Sequence, residues 1–361
     1  MLCANSKISI KQLQILLILN CLGTGLISLP RITATHARQD GWISVLIATM
    51  LACFSAFLIC SVCEKFPAQS FVSYSSRILT RPIAVIISLT FIIKILIMIS
   101  VELRFFGEIV NQAMLPDTPV NAIVIPMILL SAYVATKGYE ARARVAEILI
   151  IIILLPLALL FVLAMFDIDF SNMMPVFVAQ PKELLIGGKS ALLAFSNIQL
   201  LLLAYPYLCR PHGAKRSMVQ TVAFIGAIFT IVTVITIAQF GADDVQNQVW
   251  AVIEMMLLIQ LPGSFIERQD ALMMSFWIIS VFAIVNAGLF FASVLLKDVF
   301  NKGKHSGYIL CLMPIVFLVS ILPDNILEIY TYKTGLETNL SLLFMFAVPL
   351  ALLLVAKIRN I

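Results

Sequence analysis

Charge is what this sequence has least of: 12% of its 361 residues are Asp, Glu, Lys or Arg, against 61% hydrophobic and a mean hydropathy of +1.04. That mixture excludes a soluble globular domain, whose surface needs far more charge. A helical protein crossing a lipid bilayer many times is expected instead. Histidine is nearly missing, and His36, His212 and His305 fall in three separate connections, so no metal centre and no cofactor is expected. The seven cysteines (Cys3, Cys21, Cys53, Cys60, Cys63, Cys209, Cys311) are scattered, mostly inside apolar runs where Cys acts as a small hydrophobe. No disulfide is expected. Cys60-Ser-Val-Cys63 has redox spacing, but it ends an apolar helix without a βαβ context. No small-residue cleavage site follows the short polar N-terminus, so no removable signal peptide is expected. No nucleophile and base, metal cluster or catalytic motif shares one depth, which argues against an enzyme. No nucleic-acid partner is expected either.

What is present is a series of apolar windows. About 20 apolar residues cross the hydrocarbon core, and ten windows qualify: Ile10 to Pro30, Trp42 to Val62, Pro82 to Asn111, Val120 to Thr136, Val145 to Phe166, Ser190 to Leu208, Met218 to Phe240, Arg268 to Val299, Gly307 to Leu322 and Ser341 to Ala356. With the N-terminus inside, the inner connections hold sixteen Lys and Arg; the outer ones hold only Arg31, Arg38, Lys182, Lys189, Arg268 and Lys333. Cytoplasmic N- and C-termini follow from the positive-inside bias, and an even number of spans agrees.

The first window is interrupted. Asn20-Cys-Leu-Gly-Thr-Gly-Leu-Ile-Ser-Leu-Pro30 places two glycines, a threonine, a serine and a proline where a membrane helix would carry Leu and Ile. Backbone freed from a helix cannot face lipid, so such a break must line a polar cavity or be buried in protein. Two readings stand: a small-molecule site at membrane depth, or close helix packing through small residues. The two halves of the chain share an outline, with a disturbed first span, a long third span, and an amphipathic stretch between second and third spans. Those stretches, Glu64 to Arg81 and Gly241 to Glu267, fall on opposite faces by charge. Five spans per half is an odd number, so the second half is inverted. The expected fold is therefore an all-α polytopic membrane protein: one transmembrane domain over 1–361, ten helices in a 5+5 inverted repeat (about 10–166 and 190–357), with helices 1 and 6 discontinuous. The matching break in span six is expected at Ala194-Phe195-Ser196-Asn197-Ile198-Gln199, followed by Pro206, which removes a backbone donor. Interhelical hydrogen bonding by Ser196, Asn197 and Gln199 is the competing account. The candidate binding residues are Gly23, Thr24, Gly25 and Ser28 with Phe195, Ser196, Asn197 and Gln199.

Span three holds Lys94, Glu102, Arg104 and Glu108, and an ionisable group at membrane depth points to function. Arg104 and Glu108, four apart, are expected to form a structural pair. For Lys94 and Glu102 three readings stand: an intrahelical pairing bridged by water, separate partners on other helices, or parts of an ion or proton path. Glu147 is expected at the interface beside Arg144 or Arg142, and Asn286 is expected either against span three or facing the cavity.

The order Pro262-Gly-Ser-Phe-Ile-Glu-Arg-Gln-Asp-Ala-Leu272, the glycine break followed by Leu29-Pro30, and the basic turn Arg210-Pro-His-Gly-Ala-Lys-Arg216 together resemble the B subunit of spore nutrient-germinant receptors. That family is a branch of the amino acid, polyamine and organocation transporter superfamily, and the resemblance covers nearly the whole chain. It implies a leucine-transporter-like fold and a subunit that binds a nutrient, commonly an amino acid. It also implies partners, a germinant receptor A subunit and a C-subunit lipoprotein, in the inner membrane of a dormant spore. The ligand's carboxylate would then meet backbone amides around Gly23, Thr24 and Gly25, and its ammonium would meet groups around Phe195, Ser196 and Asn197. Neither break contains an acid, so a zwitterion or neutral molecule is expected rather than a polyamine. Glu267, Arg268 and Asp270 read as structural. An autonomous ion-coupled amino acid transporter is the alternative function.

Overall fold

The computed structural model describes residues 7–164, 168–258, 269–323 and 337–359 with the single positions 328 and 335, of which 24, 155–156, 159–160, 256–258 and 269–273 are described in their backbone alone. Glu267, Arg268 and the Asp270 side chain, which carry the most specific part of the family resemblance, lie outside the described residues. Among the described residues the chain is helical, its one β-feature being an isolated bridge between Ile8 and Leu208.

The first crossing is built from two pieces, α1 (Ile10–Cys21) and α2 (Thr24–Ala37). At 1.5 Å per residue α1 is about 18 Å long, too short to span alone. Ser9 starts it with a capping box: the Gln12 N–H donates to Ser9 Oγ at 3.2 Å and the Ser9 N–H donates to Gln12 Oε1 at 2.9 Å. The helices α3 (Gly41–Lys65), α5 (Arg81–Ala113), α6 (Val120–Thr136) and α7 (Tyr139–Ala164) follow, with the short α4 (Phe71–Ile78) between the second and third crossings. The sixth crossing begins as α8 (Pro181–Ala191), continues as a 3₁₀ stretch over Leu192–Leu200, returns to α-helix in α9 (Leu201–Ala204) and ends in a 3₁₀ turn at Tyr205–Tyr207. Then come α10 (Ala214–Phe240), the short α11 (Ala242–Asn247) and α12 (Ala251–Leu258), α13 (Gln269–Phe300), α14 (His305–Ser320) and α15 (Thr338–Ile358). Counted with the two composite crossings, these make the ten expected spans. By length and composition, six helical stretches of the described residues can each cross a membrane, with three shorter apolar helices beside them. The chain is a multi-pass membrane protein.

Packing follows membrane rules: glycines let helices approach, and hydroxyls bond to their own helix. The closest partners are α3 with α10 and α5 with α13. At the first contact Gly226 of α10 lies against Thr49, whose side chain a Cβ would overlap; at the second, Gly288 lies against Ile99 in the same way. Buried Ser88, Thr233 and Thr236 donate to carbonyls four residues earlier, at 2.7 to 2.8 Å. Within α15 a π-helical turn at Leu343–Ala347 leaves the Met345 carbonyl to accept from Ser55 Oγ at 2.9 Å, which fixes α15 to α3.

Outside the crossings, Asp40 holds the segment leading into α8. Its buried carboxylate accepts the backbone N–H groups of Phe177, Val178 and Ala179 at 2.7 to 2.9 Å. At the other end of the bundle the Ile8 N–H donates to the Tyr207 carbonyl (2.8 Å) and the Cys209 N–H donates to the Ile8 carbonyl (3.0 Å). The segment before α1 is thereby tied to the end of the sixth crossing. Cys209 is disulfide-bonded, which corrects the expectation of none: it stands not in an apolar run but at this junction, beside the N-terminal segment.

Two further expectations are corrected by helix geometry. Arg144 pairs with Glu140, one turn earlier on the same face, at 2.7 Å, and Glu147 is exposed. Asn286 bonds neither to span three nor into the cavity: its Nδ2 donates to the Ser131 carbonyl of α6 at 2.9 Å. The expected Arg104–Glu108 pair is present at 2.7 Å and largely shielded from solvent.

Replacing Gly226 with leucine is expected to cost about 1–3 kcal/mol through overpacking, read as a lowered thermal midpoint of the purified protein. An unchanged midpoint would mean that α3 and α10 separate freely at this contact.

Candidate functional site

The interruption of the first crossing is confined to Leu22 and Gly23. Cys21 closes α1 and Thr24 opens α2, with Gly23 as a cap that has no side-chain hydrogen bond of its own. A helix start leaves its first N–H groups without intrahelical partners and its end leaves carbonyls likewise, so two sets of backbone polar groups meet here. One of these is satisfied from the sixth crossing: Asn197 Nδ2 donates to the Asn20 carbonyl at 2.6 Å. The glycines also serve packing. A Cβ on Gly23 would overlap the Ile284 side chain of α13, and one on Gly25 would stand 3.0 Å from Ala194 Cβ and 3.2 Å from Ala194 Cα. Close approach and cavity lining are therefore combined at these residues rather than alternatives.

The sixth crossing is interrupted where expected, by a change of helix type. Over Leu192–Leu200 it is tightened into a 3₁₀ helix, with the disturbance at Pro206 confined to the turn Tyr205–Tyr207. A 3₁₀ helix keeps its backbone hydrogen-bonded i to i+3, so the polar contribution of this stretch comes chiefly from side chains. Its pitch of three residues per turn sends neighbours in different directions. Ser196 and Asn197 line a cavity against the first crossing, whereas Phe195 packs edge-on to Phe229 of α10 with ring centroids 5.1 Å apart. Gln199 is fully buried away from the cavity lining, and neither end of its amide has a hydrogen-bond partner among the described residues.

The cavity measures about 520 Å³. Of the residues singled out in the sequence, Gly23, Gly25, Ser28, Glu102, Ser196 and Asn197 line it; Phe195, Gln199 and Lys94 do not, and the Thr24 side chain lies outside the described residues. The lining also includes Asn20, Met98, Leu193, Ala194 and Ile284, with Arg31 and His36 from the C-terminal half of α2 and Lys189 from the last turn of α8. Glu337 and Thr338, at the start of the last crossing, complete it.

Glu337 precedes the last apolar window of the sequence, Ser341 to Ala356, and is not among the residues the sequence singles out. It is buried, and it interacts electrostatically with Lys94. Lys94 is itself fully buried, its Nζ 3.3 Å from the Met98 sulfur one turn along α5. A buried ammonium needs an opposite charge, and the last crossing supplies one. Lys94 thus stands beside Met98, within electrostatic reach of Glu337, while Glu102, two turns further on, lines the cavity. The depth of Lys94 was a signal for some partner; nothing in linear order connected it to a residue more than two hundred positions away.

A second cavity, about 650 Å³, lies at the opposite end of the bundle, lined by Ser70, the Lys137–Ala141 turn, Tyr207 and the end of α13. Between it and the first cavity, the buried Arg142 guanidinium sits over the rings of Tyr139 (5.3 Å), Phe290 and Phe291 (both 5.9 Å) and donates to the Ala283 carbonyl at 3.5 Å. The ring faces offer the buried guanidinium partial compensation for lost water.

Residues 7–329 match the family model described as spore germination protein. Among curated relatives, spore germination protein YndE of Bacillus subtilis (strain 168) is 28% identical over 98% of each chain, and GerLB of Bacillus cereus is 25% identical over 94% of this chain and 91% of its own. Two solved structures share the fold. One is a Na⁺-coupled sialic acid symporter in a substrate-bound outward-open state, with a TM-score of 0.68 at 13% identity, covering 94% of this chain and 79% of that one. The other is MhsT in complex with L-phenylalanine, with a TM-score of 0.67 at 14% identity over 96% and 97%. The architecture is thus the leucine-transporter-like one, with discontinuous helices 1 and 6.

Asn197→Leu removes the donor to the Asn20 carbonyl and leaves that group buried without it. A loss of about 1–3 kcal/mol is expected, together with faster amide hydrogen exchange at Cys21 to Gly25. Wild-type exchange there would show that the break does not depend on this bond.

Proposed function

This chain belongs to the spore germination protein family, and from that membership we propose that it is the membrane subunit of a nutrient-germinant receptor, binding a small nutrient, an amino acid in the first instance, between its two interrupted helices. The observation that carries the reading is the cavity itself. One 520 Å³ space is lined by Gly23, Gly25 and Ser28 of the first crossing and by Ser196 and Asn197 of the sixth. The backbone amides at the start of α2 attract an anion, because a helix N-terminus carries partial positive charge. A ligand carboxylate belongs there, and its ammonium belongs toward Ser196 and Asn197. Relatives named as spore germination proteins support the nutrient role. The neighbour crystallised with L-phenylalanine supports an amino acid as the ligand class.

Signalling then requires that the nutrient bind one conformation of the bundle more tightly than another, the difference being read by an A subunit and a C-subunit lipoprotein. The membrane is the spore's inner membrane, with both termini cytoplasmic, as the bias of Lys and Arg supports. A second reading, an ion-coupled amino acid transporter, draws on the Na⁺-coupled symporter that shares the fold.

Labelled amino acids and small sugars, tested against the purified chain, are expected to include at least one saturable ligand. Leu193→Trp, which projects bulk from the cavity wall, should abolish that binding while leaving the thermal midpoint near wild type. Retained binding in the variant would remove the cavity from consideration. Proteoliposomes holding this chain alone should accumulate no labelled amino acid under a proton or sodium gradient; accumulation would decide for the transporter.

A further inference from the structure

One buried charge stands apart from the cavity between the interrupted crossings. Arg142, in the first turn of α7, is 4% exposed. Its guanidinium sits over the rings of Tyr139, Phe290 and Phe291, and its Nη2 donates a long hydrogen bond, 3.5 Å, to the Ala283 carbonyl. Its Nη1 is buried with no hydrogen-bond partner, and none of the ion pairs among the described residues includes it. Ring faces return part of what a guanidinium loses on leaving water, but they supply neither an acceptor for Nη1 nor a full negative charge. Buried charges in native proteins are paired, so the component missing here is an anion that accepts hydrogen bonds.

Arg142 also lines a small void of about 20 Å³, together with Leu16 and Leu19 of α1, Ala146 of α7, and Ala283 and Asn286 of α13. No acid lines it. Ser131 of α6, whose carbonyl accepts the Asn286 amide at 2.9 Å, keeps a fully buried hydroxyl without a partner. A single water-sized sphere needs roughly 10–15 Å³ of such space, so the void admits one water molecule or one halide ion and is too small for a sulfate, a phosphate or a nutrient carboxylate.

We propose that this void is a halide site, holding one chloride ion against Arg142 Nη1. Water would satisfy the hydrogen bond and leave the charge uncompensated; chloride, an acceptor of water-like size, answers both. The ion reaches it from the second cavity, whose lining includes Tyr139 and Phe290 with Lys137, Arg144 and Lys297 against two acids, Glu140 and Asp298. Such an excess of positive charge raises the local concentration of anions. Bound there, the ion holds the guanidinium of α7 beside α1 and α13. The site shares no lining residue with the 520 Å³ cavity, so it stands or falls independently of the nutrient reading.

The test uses the intact chain in lipid nanodiscs and reads its thermal midpoint in sodium chloride, sodium bromide and sodium gluconate at one ionic strength. Chloride and bromide are expected to raise the wild-type midpoint saturably, by about 2 °C or more over gluconate, whose anion is too large for the void. Arg142→Met, which keeps much of the side-chain bulk and removes the charge, abolishes the difference between halide and gluconate. Should Arg142→Met fail to fold, Ala146→Leu, which fills the void and leaves the guanidinium in place, abolishes it instead. Crystals of the wild type grown in bromide show an anomalous peak beside Arg142 Nη1. The proposal is overturned if the wild-type midpoint is the same in halide and gluconate, water then occupying the void. It is equally overturned if Arg142→Met or Ala146→Leu keeps the halide response, or if bromide appears only elsewhere, since the ion would then bind at another place.

Discussion

A backbone inside a membrane must find its hydrogen bonds within the protein, and the molecule is arranged around the one place in its first crossing where α-helix does not supply them. The gap at Leu22 and Gly23 is small, yet it turns two helix ends toward each other at membrane depth. Such a gap persists only if other groups occupy it. Asn197 does so from the sixth crossing, donating one amide hydrogen to the Asn20 carbonyl. The same two crossings are joined again at their inner ends, where Ile8 bridges Tyr207 and Cys209 through backbone hydrogen bonds. The interrupted helices are thus held to each other at two levels, and the cavity is the space left between them on the outward side.

Charge follows from that arrangement. A membrane helix carries an ionisable side chain only where protein or a polar cavity surrounds it, and α5 carries several. Arg104 and Glu108 neutralise one another along the helix. Lys94 and Glu102 face different surroundings, the ammonium beside the Met98 sulfur within electrostatic reach of Glu337 and the carboxylate lining the cavity. The third and last crossings, which carry neither interruption, thereby contribute the electrostatic character of the space that the interruptions create. On the inner side Arg142 is instead enclosed by aromatic rings, whose faces offer a buried guanidinium partial compensation for lost water.

Much of this was legible in the linear order because the membrane is a demanding solvent. Glycine, threonine and serine clustered inside an apolar window can mean little other than a break or a close approach, and Gly23 and Gly25 prove to serve both. The outline of the sixth crossing was less legible. A proline and three polar residues signal a disturbance, but whether the chain unwinds or tightens into a 3₁₀ helix depends on what packs around it. That difference decides that Ser196 and Asn197 reach the cavity while Phe195 turns to Phe229 and Gln199 into the core. Asn286 met α6 rather than α5 for a similar reason: a helix presents every direction, and the neighbour on each side is set by the bundle.

The sequence by itself determined the solvent, the number of crossings, the site of the first break and the rows of small residues that allow helices to touch. These are local matters of hydropathy, length and side-chain size, which act within a window of about 20 residues. Only the tertiary structure decided which distant groups come together: Asn197 bonded to Asn20, Lys94 within electrostatic reach of Glu337, and Glu102 beside a cavity it borders from another helix. Such pairings depend on the rotation of each helix about its own axis and on its depth. Those are fixed jointly by all of its neighbours, and no single window of residues contains them.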